Sequence, residues 1–227
     1  MQWNKINVDK KILVSNPMYL EIIGSVKLEI NVKENINTKL VIIGNKNYDI
    51  KINIDNNSSL TVNSINKDNS VNVCINLNSK SSITYNHSVV SNINSINNFT
   101  INHLKNDSVS YLNNNGVNMN TNKLFITIDG VVNKSLKNIV CNQSSKIINI
   151  GMGDSKIIPN LIIDSNDIIA NHAAYIGEIG EEEKFYLESR GIGILDIKKI
   201  VYKATMLGKM ELLEEEEEFN KRINEWW

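Results

Sequence analysis

From Val26 to about Tyr85, apolar and polar residues alternate with a period of two. Val26, Leu28, Ile30 and Val32 share one phase; Lys27, Glu29, Asn31 and Lys33 share the other. The pattern returns in Tyr48, Ile50, Ile52, Ile54 and again in Val71, Val73, Ile75, Leu77. Successive side chains of a strand point to opposite faces, so this pattern predicts strands with one buried and one wet face. Turn formers lie between them, as in Asn56-Asn57-Ser58-Ser59 and Asn66-Lys67-Asp68-Asn69-Ser70. From Phe99 to Ile163 further strand-like runs follow: FTINHL, VSYLNNNG, KLFITIDGVVN, SKIINIG and NLIID. Short strands recurring about every ten residues predict an all-β sandwich, barrel or solenoid. The linking stretches lack the Asn-Gly and Asp-Gly pairs of tight hairpins, and Asp129-Gly130 comes late. Strand–turn units with asparagine-filled corners fit a β-helix, in which like side chains stack in ladders. No fixed repeat length is visible, so periodicity leaves both the β-helix and the sandwich open.

The tail changes period. Gly180 precedes Glu181, Glu182 and Glu183, carboxylates suited to the positive end of a helix dipole. That helix is expected to run to about Arg190 and stop at Gly191. A second is predicted from Leu195 to Met210, with Ile197, Ile200, Val201 and Ala204 on one face. A third is predicted from about Glu211, supported by the i,i+4 pairs Glu217–Lys221 and Glu218–Arg222. The five-glutamate run reads as its solvated face. Two domains result: a β body over 1–178 and a small α-helical domain over 179–227.

Composition narrows the function classes. A net charge of −1 supplies no basic field for a phosphate backbone, which disfavours nucleic acid as a partner. Apolar runs such as Leu40 to Ile43 are far too short to span a bilayer, and MQWNKINVDKK has no secretory apolar region. Cys74 and Cys141, 67 positions apart, make no disulfide framework, and the expected location is the cytoplasm, with reduced thiols. Asparagine, isoleucine and lysine are all abundant. An AT-rich genome writes that combination into tolerant surface positions, while isoleucine at this density supplies the apolar area of a folded core.

The catalytic inventory is thin, and no enzyme activity is expected. Gly151-Met152-Gly153-Asp154-Ser155-Lys156 lacks the ending of a phosphate loop, and neither a Gly-x-Ser-x-Gly elbow nor a His-Glu-x-x-His pair is present. His87, His103, His172, Cys74 and Cys141 are potential soft or borderline metal ligands, with no Cys-x-x-Cys pair among them. Cys74 shares the polar phase of Asn72 and Asn76, and Cys141 closes the run Asn138-Ile139-Val140; a packed or idle thiol is the reading for both. His172 shares phase with Ile168, Ala170, Ala174 and Ile176, where a lone histidine is usually a hydrogen-bonded core residue.

The densest stretch runs from Asn171 to Ile192: Asn171-His172-Ala173-Ala174-Tyr175, Gly177, Glu181 to Glu183, Phe185-Tyr186-Leu187, then Ser189-Arg190-Gly191-Ile192. With Pro159 upstream, it resembles the C-terminal signature of the SufB/SufD family of the SUF iron–sulfur cluster assembly machinery. Members show a Ser-His-Gly-Ala-Thr-like run, a glycine, an acidic patch, Phe-Tyr-Leu and Ser-Arg-Gly-Ile. The resemblance covers roughly 80–210, and Phe-Tyr-Leu-x-Ser-Arg-Gly-Ile is its most specific part. Asn171 and Ala173 flank the histidine where SufB-like members carry glutamates, which tips the resemblance towards SufD. The functional cysteine of SufB-like members falls near Ser144, so its role is not carried to Cys141.

The resemblance implies a right-handed parallel β-helix followed by a small helical domain. It also implies a non-catalytic SufD-like subunit that pairs with SufB through the β-helix and docks the SufC ATPase through its C-terminal helices. His172 becomes a candidate ligand for a transient, nascent iron–sulfur cluster at the subunit interface. Phe185, Tyr186, Arg190, Ile197, Ile200 and Val201 become candidate partner contacts. The helical N-terminal region of longer members has no counterpart, and Ala173 and Tyr175 replace the family's glycine and threonine. Two other readings stand beside it: a SufB-like homodimeric cluster scaffold, and a structural or carbohydrate-binding β-helix with no iron role.

Overall fold

The computed structural model describes residues 2–210 and 215–227. Fifteen strands alternate strictly between two sheets. One holds β1 (Trp3–Ile6), β3 (Met18–Ile22), β5 (Asn37–Gly44), β7 (Ser59–Lys67), β9 (Ser82–Ser91), β11 (Val109–Met119), β13 (Lys137–Ile150) and β15 (Asp167–Gly177), in that spatial order. The other holds β2 (Lys10–Leu13), β4 (Val26–Val32), β6 (Tyr48–Ile54), β8 (Val71–Leu77), β10 (Ser95–His103), β12 (Lys123–Val132) and β14 (Asp154–Ile163). Every pairing is parallel, for example Ser59↔Ser82 and Tyr48↔Val71. Hairpins cannot make such sheets, because parallel neighbours need a crossover. Here each crossover is a strand of the opposite sheet, which makes the body a two-sheet parallel β-helix.

The coil widens along the chain. In-register partners lie 16 residues apart at Trp3↔Tyr19, 22 at Asn37↔Ser59, 27 at Ser82↔Val109 and 31 at Val109↔Val140. This drift is why the sequence shows strands but no constant repeat. The alternating apolar phase faces inwards and stacks in columns; Ile30, Ile52, Ile75 and Ile101 form one. All four are buried, each contributing on the order of 2 kcal/mol of transfer free energy.

Asparagine is structural in this fold, a correction to its reading as filler of tolerant surface positions. Asn35, Asn57, Asp107 and Asn138 hold φ between 54° and 61° at stacked corners, a region these short polar side chains tolerate. The Asn57 backbone N–H donates to Ser79 O at 3.0 Å, and that of Asp107 to Lys137 O at 3.0 Å, tying corner to corner. On the strands, Asn53 Nδ2 donates to Asn31 Oδ1 (2.9 Å), Asn76 to Asn53 (2.8 Å) and Asn102 to Asn76 (3.0 Å). Asn63, Asn86 and Asn113 make a second ladder, at 2.9 Å per step. Asn66 and Lys67 belong to β7, and the turn is made at Asp68 (φ 52°). Cys141 lies inside the long strand β13 rather than at a strand end.

Three helices follow among the described residues: α1 (Glu181–Ser189), α2 (Ile194–Leu207) and α3 (Glu216–Trp226). The expected start of the third near Glu211 lies outside the described residues. After α1, Gly191 (φ 81°) donates its N–H to Glu188 O at 2.9 Å and Ile192 donates to Leu187 O at 3.2 Å, a Schellman ending. The buried face of α2 differs from the expected one: Ile197, Tyr202, Thr205 and Met206 are buried, whereas Ile200 and Ala204 are exposed. The reason is tertiary. Val41, Ile43, Ile65, Val90, Val117 and Ile148, in the outward phase of the eight-stranded sheet, form a second apolar cluster with Tyr202, Met206, Phe219 and Ile223. Salt bridges fasten α3 to the first strands, Arg222 Nη2–Glu21 Oε1 at 2.9 Å and Lys39 Nζ–Glu215 Oε2 at 2.8 Å. The expected Glu218–Arg222 pair forms within the helix at 2.9 Å.

Candidate functional site: the last rung and the helices beside it

The eight-stranded sheet ends at β15 and the seven-stranded sheet at β14. Ile176, in the inward phase with the buried Ile147, is exposed here, and the outward-phase Ile162, Ile169 and Tyr175 are exposed as well. His172 sits at the middle of β15 and is itself exposed. Register settles which way it faces. His172 pairs with Gln143, Ala170 with Cys141 and Ala174 with Ser145, all buried residues of the inward phase. His172 therefore continues an inner column, Leu40–Val62–Tyr85–Leu112–Gln143, onto the open end. The phase read from the sequence is the inward one; the exposure arises because β15 is last.

The next column turns polar as it approaches this end: Ile42 is followed by Ser64, His87, Asn114 and Ser145. Asn66 Nδ2 donates to Ser64 Oγ at 2.7 Å and approaches His87 Nδ1 at 3.3 Å, while Tyr48 Oη donates to Asn66 Oδ1 at 2.9 Å. Burial lowers the His87 pKa to about 3 and the His103 pKa to about 4, holding both rings neutral. His103 is enclosed by Ser108 Oγ (2.8 Å) and Ser110 Oγ (3.0 Å). The two rings are thus core residues, as a lone histidine usually is. Cys74 lies in the polar phase of β8, with Asn102 Nδ2 3.6 Å from its sulfur. Among the described residues, no group of three or more His, Cys, Asp or Glu side chains is gathered for a metal ion.

The candidate partner contacts separate into two groups. On α1, which buries no side chain, Phe185 is 74% exposed; Tyr186 and Arg190 are exposed too, with the guanidinium 5.1 Å from the Tyr186 ring centroid. Leu195, at 71% exposure, and Ile200 add to this surface from α2. Ile197 is completely buried and Val201 packs against the second apolar cluster, so these two serve the chain's own core. A cleft of about 380 Å³ separates α2 from the last rungs, lined in part by Lys146, Tyr175, Glu183 and Ile200. Lys146 Nζ lies 5.6 Å from the Tyr175 ring centroid on its wall.

The family model described as SUF system FeS cluster assembly, SufBD core domain, matches residues 27–205. The chain belongs to the SufB/SufD family. Its matched region runs from β4, in the second rung of the solenoid, into α2. Comparison with curated proteins finds no match. The SufBD assignment makes the chain a subunit of SUF iron–sulfur cluster assembly, in a family whose members are generally non-catalytic scaffolds working in a complex with the SufC ATPase. Among the described residues, no helix is long and apolar enough to cross a membrane. The pairing of Gln143 with His172 and of Cys141 with Ala170 is not visible along the chain, because rung spacing varies from 16 to 31 residues and sets up no constant repeat.

Proposed function

We propose that this chain is a SufD-like, non-catalytic subunit that pairs with a SufB-like subunit through its last rung and docks a SufC-like ATPase through α1 and the exposed face of α2. The carrying observation is the unfinished end of the solenoid. β14 and β15 offer backbone groups and half-covered apolar side chains that a second β-helix end would satisfy. His172 lies on that end, so pairing would enclose it, and a nascent iron–sulfur cluster held there would be shielded from water. A neutral imidazole is a competent iron ligand. The exposed Phe185, Tyr186 and Leu195 supply the aromatic and aliphatic anchors of a docking surface.

Anaerobic co-expression with the host's SufB and SufC homologues, with the complex sized by light scattering, tests this reading. A stoichiometric assembly is expected, and Phe185→Asp or Leu195→Asp should release the ATPase while leaving β-helix pairing intact. Assembly with neither protein would defeat the scaffold role. A stable complex of two copies of this chain with the ATPase alone would instead establish the homodimeric, SufB-like alternative.

A further inference from the structure

On the outer face of the eight-stranded sheet, one row of side chains runs Ile43–Ile65–Ser88–Asn115–Lys146–Tyr175. Ile43 and Ile65 join the apolar cluster beneath the helices, and from Ser88 to Lys146 the row is polar. The neighbouring outer row on the same strands, Val90–Val117–Ile148, stays apolar throughout. The change of character falls where α2 crosses β9 and β11, at the cleft between α2 and the last rungs. Asn115 lines that cleft and is only 6% exposed, yet its side-chain amide has no hydrogen-bond partner among the described residues. Thr205 reaches the same cleft from the buried face of α2, and its hydroxyl is unpaired too. Ser88 Oγ, beside Asn115, is enclosed and without a partner. Seating a helix calls for apolar side chains, as in the next row. An unpaired amide and hydroxyl at its underside call for a partner that the chain does not itself supply.

The cleft holds about 380 Å³, at the lower end of the range for small-molecule sites. Ile148, Val201 and Ala204 give it an apolar wall. Lys146 and Lys209 line it together with Glu178 and Glu183, all four exposed. Among the described residues none of these four side chains is in a salt bridge, and Lys146 lies over the Tyr175 ring. A ligand with one sign of charge meets two like charges here. A ligand with both signs finds two opposite charges for each of its own.

We propose that this cleft binds a zwitterionic amino acid with an apolar side chain. The ligand carboxylate pairs with the lysine ammonium groups and accepts from the Asn115 amide, and the ligand ammonium pairs with Glu178 and Glu183. The Thr205 hydroxyl can donate to the one or accept from the other. The ligand side chain lies against Val201 and Ala204. Tyr175 is in the outward phase of β15 and His172 in the inward phase, so the site is separate from the open end of the solenoid. It takes nothing from the scaffold reading.

Isothermal titration calorimetry of the intact chain with L-leucine, L-methionine and L-phenylalanine tests the site. Saturable binding of at least one of them, at one molecule per chain, is expected. Its N-acetyl derivative lacks the ammonium and its carboxamide lacks the carboxylate. Each should bind about tenfold more weakly or worse, the effect of one lost charge-assisted contact. Lys146→Met should weaken binding to a similar degree. Glu183→Gln should weaken binding of the amino acid but not of its N-acetyl derivative. Asn115→Leu, which completes the apolar row, should weaken binding as well, with circular dichroism verifying that the variant is folded. Lys146 is exposed, so its variant decides the matter even where Asn115→Leu disturbs the fold. No saturable heat with any of the three amino acids, equal affinity for the N-acetyl derivative, or undiminished affinity in Lys146→Met would overturn the site.

Discussion

His103 sits between Leu77 and Val132 in one inner column, His87 between Ser64 and Asn114 in another, and both are fully buried. Their folded-state pKa values, about 3 and about 4, lie below the ordinary 6.5, so the unfolded chain binds protons more readily than the folded one. Their contribution is intact above about pH 6.5 and is lost as pH falls from there towards the folded values, at about 1.4 kcal/mol per histidine per pH unit. Carboxylates titrate mostly lower, so urea midpoints at about pH 7.5 and about pH 5.5 isolate the pair. A stability loss of about 2–3 kcal/mol is expected at the lower pH, and an unchanged midpoint would show that water reaches the rings. Gly130 makes a steric prediction at the same scale. Gly130→Ala must push aside Cys141 and Gln143, at a cost of about 1–3 kcal/mol in denaturant unfolding, because a packed interior resists an added methyl group. Neither demand is visible in the sequence, where Gly130 reads as part of a turn pair and His87 as one more ligand candidate.

The strand is where the sequence was most legible. Val26–Val32, Tyr48–Ile54 and Val71–Leu77 form β4, β6 and β8 with the expected residues buried. The helices were legible in type and less so in facing. α1 ends at the expected glycine, but α2 turns Tyr202 and Met206 inwards where Ile200 and Ala204 were expected. Helical periodicity fixes which residues share a face; the outer apolar strip of the sheet selects the face that is buried. The asparagine ladder acts at this level too. Asn53 donates to Asn31 and accepts from Asn76, so Asn53→Ala removes two links between adjacent strands. At about 0.5–1.5 kcal/mol per hydrogen bond, thermal or urea unfolding should show a loss of about 1–3 kcal/mol. A loss no greater than that of an isolated surface asparagine would mean that water substitutes for the ladder.

At the level of the whole molecule, the tail finishes the body's surface. The helical segment spans the eight-stranded sheet, sharing buried residues with β5, β7, β9, β11 and β13 and reaching β3 through Arg222–Glu21. Deleting the chain from Ile194 onward should therefore uncover a contiguous apolar strip and cause self-association in light scattering, a monodisperse monomer being the contrary result. Point changes at Phe185 and Leu195 are the cleaner probes of docking for the same reason. By itself the sequence determined the strands, the polar and apolar phases, the change to helix near Gly180 and, through Phe185-Tyr186-Leu187 and Ser189-Arg190-Gly191-Ile192, the family. These are local properties, set by side-chain direction and backbone preference over a few residues. The family resemblance pointed to parallel strands, and the sheets bear that out; the tertiary structure alone decided that α2 buries Tyr202 and Met206, and that Cys141 and Gln143 meet Gly130 one rung beneath His172. Those outcomes depend on rung length, which drifts from 16 to 31 residues and is set by how the two sheets close on each other, so no local pattern along the chain encodes them.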